Sequence, residues 1–467
     1  MIEDQPATRD QPAGPDLSTA RDELKRVLGL PTAILLVAGI MIGSGVFKKI
    51  VPMAQSLPDE SLIIAAWIAA GVITMFGAFT YAGLSTMTTE SGGVYEYLRL
   101  IYGDFISFLF GWAIFTIFGS GALAALAFVF AQSVNTLIPL SPAAWGLAFA
   151  GWGIKILALL TIVLLTWFNS RGIRKGGILN NIITSAKITG ILLLIIVALF
   201  YSRSPATQPI TRIATSSHTG LLSGFIGAML SALWAYDGWA NITYITGEIR
   251  NPRRNVAYAI IGGVGIAMAL YVLLNFGYMR VLSPGQLSRL GTDQIAAAEV
   301  AGVLLGRAGT ITISVLIMAC TFSALNGCVI TYARVYFRMA RENVFFKNAG
   351  KVHPTALTPH IALLYSAVWS IVLVGSGSFD EITNLIVFAS YGFFGLAALG
   401  LVRMKRSGRI TARVIGYPVV PWIIILFCAT LMINTILTQP GQSATGLALI
   451  LSGVPFYVYF KRRAATG

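Results

Sequence analysis

Residues 39–47 read Gly-Ile-Met-Ile-Gly-Ser-Gly-Val-Phe and lie within an apolar stretch that begins near Leu30. Three small residues, Gly43, Ser44 and Gly45, stand where the middle of a membrane helix would fall, and they favour a break in its hydrogen-bond ladder. Lipid tolerates a broken helix only where protein or a water-filled cavity encloses the exposed backbone. Backbone N–H groups at the start of the outer half-helix, with the positive end of its dipole behind them, suit a carboxylate. The stretch therefore predicts a binding site for a small anionic group near the centre of the bilayer.

The rest of the chain has the composition of a protein with many membrane-spanning helices. Of its 467 residues, 56% are hydrophobic and only 11% are charged, whereas soluble proteins carry about 25% charged residues. Apolar runs of about 20 residues are long enough to cross a bilayer as helices. The sequence therefore predicts an all-α integral membrane protein, with twelve spans at about residues 30–56, 61–87, 105–137, 153–169, 178–201, 221–248, 256–280, 309–340, 360–376, 382–402, 415–437 and 443–460.

Basic residues are distributed unevenly between the two sides of the predicted membrane. The net charge of +15 could indicate a nucleic-acid partner. However, 24 of the 33 Lys and Arg residues fall in segments that are cytoplasmic when the N-terminus is inside, and only seven fall in outer segments. This split follows the positive-inside rule and predicts that both termini are cytoplasmic, so we expect a lipid bilayer and no nucleic acid as partner. Lys48 and Lys49 lie on the outer side, where they either have a local role or extend to the membrane surface.

A second candidate break lies in the sixth span, at Tyr236-Asp237-Gly238-Trp239. It follows the first break by five spans, an odd number, so the two halves of the chain would have opposite orientations in the membrane. Interrupted helices at matching positions of two inverted halves indicate a transporter binding site. The alternative is that the glycines at both places only allow helices to pack closely.

Asp237 is the one acidic residue deep within a predicted span. A charge there costs about 2.5–3.5 kcal/mol on insertion scales, so the carboxylate needs a cavity or a partner. Three roles remain open: Asp237 binds a cationic group of a substrate, takes up a proton, or only caps the broken backbone at Gly238. Trp234, Tyr236 and Trp239 surround the same break and could close over an apolar side chain.

Lys187 lies well inside the fifth span. A buried ammonium needs carbonyl or hydroxyl acceptors, so Lys187 either bridges helices in the place of a metal cation or extends to the inner membrane surface. We predict the bridge. Ser323 and Asn326 share one face of the eighth span, and that face could meet Lys187 or the first break.

The sequence contains no P-loop and no His cluster with metal-binding spacing. We therefore predict no enzymatic activity, no cofactor and no metal. The cysteines Cys320, Cys328 and Cys428 all fall inside apolar spans, which predicts buried thiols and no external disulfide framework.

These motifs together resemble the amino acid–polyamine–organocation superfamily, in particular its L-amino-acid transporter family, which includes bacterial alanine–serine–cysteine exchangers. The resemblance covers about residues 24–437. It rests on motifs that occur in family order at residues 39–47, 91–95, 169–172, 236–239, 247–255 and 323–327, followed by Arg334.

The resemblance implies a LeuT-type fold, in which two inverted repeats of five helices are followed by two further helices. The first repeat would occupy residues 24–201 and the second residues 202–402. Helices 11 and 12 and a cytoplasmic C-terminus would occupy residues 403–467. Residues 1–23, which are polar and rich in Pro, would form a disordered cytoplasmic tail.

The resemblance also implies how a substrate is held. Backbone N–H groups of Ser44 and Gly45 would donate to its carboxylate, and backbone carbonyls of both broken helices would accept from its α-ammonium, namely those of Ile40, Met41, Trp234 and Asp237. The full set of substrate-binding residues would be Ile40, Met41, Gly43, Ser44, Gly45, Trp234, Tyr236, Asp237 and Gly238, with Trp234 and Trp239 as gates. Trp234 stands where the family commonly has a Phe gate.

Lys187 matches a fifth-helix Lys that fills the place of a sodium ion in sodium-independent members of this family. Gly39 and Ser323 match the partners of that Lys. Animal members carry a Cys in the outer loop between helices 3 and 4 that links a glycoprotein, whereas residues 135–152 contain none. We therefore expect no disulfide-linked heavy chain and a location in a bacterial inner membrane.

From these features we expect a sodium-independent, alternating-access transporter of small neutral L-amino acids that works as an exchanger. The main alternative is a proton-coupled symporter of cationic or broad-range amino acids, in which Asp237 or Lys187 titrates. A non-transporting receptor or channel is the more distant alternative.

Overall fold

The computed structural model describes residues 28–57, 59–89, 92–140, 152–171, 176–201, 221–291, 294–354, 356 and 358–465. The tail predicted at residues 1–23 lies outside this range. Helices dominate the described residues, in which an isolated bridge between Leu28 and Ile249 is the only β-type pairing.

The α-helices follow one another along the chain as α1 (Leu30–Met41), α2 (Gly45–Lys48), α3 (Ile50–Ser56), α4 (Glu60–Leu84), α5 (Val94–Tyr102), α6 (Asp104–Ala113), α7 (Gly119–Leu137), α8 (Trp152–Ser170), α9 (Gly176–Leu199), α10 (Leu221–Ala235), α11 (Pro252–Val281), α12 (Pro284–Leu287), α13 (Ala296–Arg341), α14 (His360–Ser376), α15 (Phe379–Arg406), α16 (Val419–Thr438), α17 (Pro440–Leu451) and α18 (Gly453–Ala465). A π-helical turn, Ile114–Phe118, joins α6 to α7, and 3₁₀ segments occupy Trp239–Glu248 and Lys347–Gly350. Helix α13 contains a kink at Gly306, where φ is 59°.

The helices have the lengths that a membrane requires. Within the described residues, nine helical segments are long and apolar enough to span a bilayer, and Ile183–Leu199 and His360–Ser376 are shorter apolar helices. The sixth predicted span is divided into α10 and the 3₁₀ segment that follows it. Each of the twelve predicted spans thus coincides with a helix or with consecutive helices, and the prediction of an all-α membrane protein is confirmed. The division into two inverted repeats stays a prediction.

Local signals in the sequence set where the helices begin. The Asp59 side chain caps α4 by accepting from the backbone N–H of Ser61 at 2.8 Å. A reciprocal capping box between Ser378 and Glu381 starts α15, which places Phe379 and Asp380 in the first helical turn.

The broken helices pack among the other helices of the bundle and against each other. Helix α11 packs against α1 and α4, and α13 packs against α7. Helix α1 also contacts the 3₁₀ segment that follows the second break, and α2 contacts α10. The two predicted breaks therefore lie side by side in the interior of the helix bundle.

Candidate functional site

The first break is a short non-helical connection between α1 and α2. Ile42 has φ −74° and ψ 75°, and the N–H of Gly43 donates to the carbonyl of Met41 at 2.7 Å, which is the geometry of an inverse γ-turn. Ser44 then precedes α2 as its N-cap. The helical ladder is interrupted here, as the small residues of the sequence predict.

The second break is centred on Gly238. Helix α10 ends at Ala235, and the N–H of Asp237 donates to the carbonyl of Trp234 at 3.2 Å. Gly238 has φ 95° and ψ −10°, a left-handed conformation that glycine adopts without steric cost. The backbone N–H of Gly238 faces the carboxylate of Asp237, which is the arrangement that the capping role requires, and the three roles of Asp237 stay predictions.

The two breaks touch through their backbones. A methyl group added at Gly45 would collide with the Cα of Ala235 at the end of α10. A methyl group at Gly238 would lie 2.7 Å from a side-chain carbon of Ile40. Only residues without a side chain allow this approach, which brings the main-chain groups of both breaks to one place.

A cavity of about 330 Å³ lies where the breaks meet. Its walls come from both broken helices and from α7 and α13, namely Ile40, Met41, Gly43, Ser44, Gly45, Ala122, Leu126, Trp234, Asp237, Gly238, Asn241, Cys328 and Tyr332. Ser44 is 1% exposed and Trp234 is 7% exposed, so the cavity lies deep in the protein. It therefore unites eight of the nine residues that the sequence predicts for substrate binding.

Among the residues predicted for substrate binding or gating, Tyr236 and Trp239 are the two that do not line this cavity. The hydroxyl of Tyr236 donates to the carbonyl of Trp67 at 3.2 Å. Trp239 packs edge-on against Tyr81, with ring centroids 4.8 Å apart, and lines a separate cavity. The left-handed turn at Gly238 redirects the chain between Asp237 and Trp239, which explains why Trp239 lies apart from the cavity where a gate was expected.

The main chain around the cavity offers hydrogen-bonding groups of both kinds. The N–H groups of Ser44 and Gly45 have no backbone acceptor among the described residues, and the carbonyls of Ile40 and Asp237 likewise receive no hydrogen bond there. The carbonyl of Met41 is already occupied, since it accepts from Gly43 and from the hydroxyl of Tyr271 at 2.6 Å. Of the four carbonyls expected to bind an ammonium, those of Ile40 and Asp237 are thus the most available.

Lys187 bridges α9 to the first break. Its Nζ donates to the carbonyl of Gly39 at 3.0 Å and to that of Ile42 at 3.5 Å, and the residue is 1% exposed. This contact agrees with the predicted bridge and excludes an extended Lys at the membrane surface. Ser323 is buried too, but the second acceptor of the ammonium is Ile42, where the family resemblance led us to expect Ser323.

On the predicted outer side, a cluster of charged and aromatic residues covers the cavity. The indole of Trp234 meets the ring of Phe379 edge-on, and the ammonium groups of Lys48 and Lys49 lie 4.9 and 4.8 Å from the centre of the same ring. Lys49 contacts Asp380 at 2.6 Å. Both lysines are buried, so they have a local role and do not extend to the membrane surface.

Backbone hydrogen bonds and a salt bridge join three segments on the predicted inner side. The N–H of Leu28 donates to the carbonyl of Glu248 at 3.0 Å, and the N–H of Arg250 donates to the carbonyl of Leu28 at 2.9 Å. The carboxylate of Glu248 pairs with Arg334 of α13 at 2.6 Å. The start of α1, the end of the second broken helix and α13 are thereby joined below the cavity.

Sequence reasoning missed five residues of the cavity wall. Asn241 lies one 3₁₀ turn beyond Gly238, and its N–H donates to the Gly238 carbonyl at 3.1 Å. The other four are Ala122, Leu126, Cys328 and Tyr332. The position of Asn241, three residues after the glycine of the break, was the one available signal, because the other four resemble ordinary residues of a buried helix.

A family model described as amino acid permease matches residues 28–460. The chain belongs to the amino acid permease family. The match covers both breaks, Lys187 and all the residues that line the cavity, so the family relationship includes the whole candidate site of this permease.

Three relatives show how far the similarity extends. The permease is 29% identical over 455 residues to the serine/threonine exchanger SteT of Bacillus subtilis, covering 96% of this chain and 100% of that protein. It is 31% identical to the human b(0,+)-type amino acid transporter 1, over 94% of this chain and 88% of the relative. It is 28% identical to the mouse large neutral amino acids transporter small subunit 2, over 94% of this chain and 82% of that relative.

Proposed function

We propose that this permease is a sodium-independent, alternating-access exchanger of small neutral L-amino acids. The observation that carries the proposal is the single cavity shared by both breaks, with the free N–H groups of Ser44 and Gly45 and the free carbonyls of Ile40 and Asp237 around it. The N–H groups suit an α-carboxylate and the carbonyls suit an α-ammonium. Every L-amino acid presents these two charged ends, so the main chain recognises the class.

The size of the cavity supports a small substrate. Large side chains, those of Leu126, Trp234 and Tyr332, stand in its wall and limit the space for the side chain of a substrate. Apolar and aromatic walls with a few polar groups are typical of sites for small molecules.

The position of Lys187 supports transport without sodium. Its ammonium holds carbonyl oxygens of the first break, and carbonyl oxygens are the ligands that would otherwise attract a hard cation. A covalently attached positive charge thus takes the place of a bound ion. Because this charge never leaves the protein, no sodium gradient is coupled to the transport cycle.

A relative supports exchange, because the chain is 29% identical to a serine/threonine exchanger. The clusters of contacts on both sides of the cavity suit alternating access, because each side can open only when its own contacts separate. We further propose two inverted repeats at residues 24–201 and 202–402, cytoplasmic termini, an inner-membrane location and function without a disulfide-linked heavy chain.

The test is counterflow in proteoliposomes that contain the purified protein. Each of the twenty amino acids is placed inside, and uptake of labelled alanine is measured with sodium and with sodium replaced by choline. We expect uptake to depend on an internal small neutral amino acid and to be equal in both media. Uptake that requires sodium, or that needs no internal amino acid, would refute the exchanger.

A second candidate rests on Asp237, which lines the cavity and is only partly buried. A carboxylate at that place could bind a proton or a cationic side chain, and the permease would then be a proton-coupled symporter. Alanine uptake that is unaffected when the pH gradient is collapsed, and that internal amino acid stimulates, excludes this candidate.

A further inference from the structure

Asn241 carries a buried hydrogen-bond donor that has no partner within the described part of the chain. The residue is 3% exposed and lines the cavity, and its side-chain Nδ2 makes no hydrogen bond. The hydroxyl of Tyr332 lies near this amide, but no hydrogen bond joins the two groups in this structure. Burying such a donor without a partner is unfavourable, so its place in the wall of a cavity points to a ligand that completes its hydrogen bonding.

The position of Asn241 determines which part of a substrate it can meet. Main-chain groups of Ile40, Ser44, Gly45 and Asp237 have no backbone partner among the described residues, and under the proposed function they hold the two charged ends of an amino acid. The rest of the wall is left for the substrate's side chain, and it consists of apolar groups together with Asn241, Cys328 and Tyr332. Asn241 is therefore the polar group best placed to distinguish one small side chain from another.

We propose that Asn241 determines substrate specificity by hydrogen bonding to the hydroxyl group of a short side chain, so that the permease prefers serine and threonine to alanine and valine. This inference rests on the proposed function. A hydroxyl both donates and accepts, so it satisfies the amide of Asn241 whichever of its two polar atoms faces the cavity. An alanine or valine of similar shape leaves the amide unsatisfied, and sites of this kind discriminate strongly against substrates that lack the polar group.

The test compares pairs of substrates that differ in one hydroxyl. Half-maximal concentrations for counterflow are measured for serine against alanine and for threonine against valine. We expect the hydroxyl amino acid of each pair to be favoured about tenfold or more. Asn241→Leu keeps the side-chain size and removes both polar atoms, so we expect each ratio to fall below about threefold. The ratio should fall because serine and threonine bind more weakly, with a smaller change in the half-maximal concentration for alanine.

Asn434→Leu is the matched control, because Asn434 lies on α16 outside the cavity, where its Oδ1 accepts from Ser223 at 3.1 Å. This variant should keep the ratios of the unmodified protein. Equal half-maximal concentrations for serine and alanine in the unmodified protein overturn the inference but not the proposed exchange. This comparison does not need the variant, so it holds even if Asn241→Leu fails to fold. Unchanged ratios in a folded Asn241→Leu also overturn the inference, and a protein that exchanges no amino acid overturns both proposals.

Discussion

Lys49 and Asp380 join the second half of the first broken helix to the first turn of α15, with Nζ 2.6 Å from Oδ1. The same ammonium donates to the hydroxyl of Thr383 at 2.7 Å. Lys49 is 1% exposed, whereas the Asp380 side chain is 37% exposed. The ammonium of Lys49 lies 4.8 Å from the centre of the Phe379 ring, which meets the indole of Trp234 edge-on. Under the alternating access that we propose, the pair is therefore placed where opening of the cavity beside Trp234 would separate it.

Asp380→Asn should destabilise the protein because it leaves a buried ammonium without its carboxylate. Removing one partner of a fully buried pair costs about 3–5 kcal/mol, and the exposure of Asp380 reduces the expected loss to about 1–3 kcal/mol. Thermal unfolding of the purified protein measures it. The control is Lys49→Met combined with Asp380→Asn, which should be less destabilised than the sum of the single variants. Additive losses would show that the pair has no coupling.

Gly45→Ala should abolish amino acid binding because the new methyl group would collide with the backbone of Ala235 and separate the two breaks. Overpacking of this kind costs about 1–3 kcal/mol of stability. The matched control is Gly227→Ala in α10, where a methyl group meets no atom within 4 Å. That control should keep normal exchange and gain up to about 1 kcal/mol of stability. Counterflow and thermal unfolding are measured for both variants, and normal binding by Gly45→Ala would contradict the contact.

Lys187→Met should reduce exchange at least about tenfold, because the carbonyls of Gly39 and Ile42 lose their donor and the first break loses its fixed charge. Lys155→Met is the control, since Lys155 is also a lysine within a predicted span but is only partly buried and lies on α8. Initial rates of counterflow in sodium and in choline are compared for both. A fully active Lys187→Met would reduce this bridge to a structural contact without a role in transport.

The sequence predicted the spans and both breaks because these depend on local properties. Apolar runs show directly where a helix can cross a membrane, and small residues show where its hydrogen-bond ladder can be interrupted. Lys187 could be predicted as a bridge because an ammonium within an apolar span has few alternatives to carbonyl acceptors.

Other features depended on contacts that no local pattern contains. Asp380 follows Lys49 by 331 residues, so the pairing that buries Lys49 was not visible in the sequence. The direction of Trp239 depends on the positive φ of Gly238, which sends the ring away from the cavity. Asn241 was missed because a polar residue near a break looks the same whether its side chain faces a cavity or a neighbouring helix.

Ser44 offers a test that separates its backbone from its side chain. Its N–H has no acceptor among the described backbone groups, while its Oγ accepts from Nε1 of Trp234 at 3.4 Å. Ser44→Pro removes the N–H and should abolish binding, since the substrate carboxylate loses a donor. Ser44→Ala keeps the N–H and removes only a long hydrogen bond, so its affinity should stay within about fivefold of normal. Affinities from competition in counterflow compare the two, with thermal unfolding to verify that Ser44→Pro is folded. If Ser44→Ala were the more damaging change, the carboxylate would be held by the hydroxyl and not by the main chain.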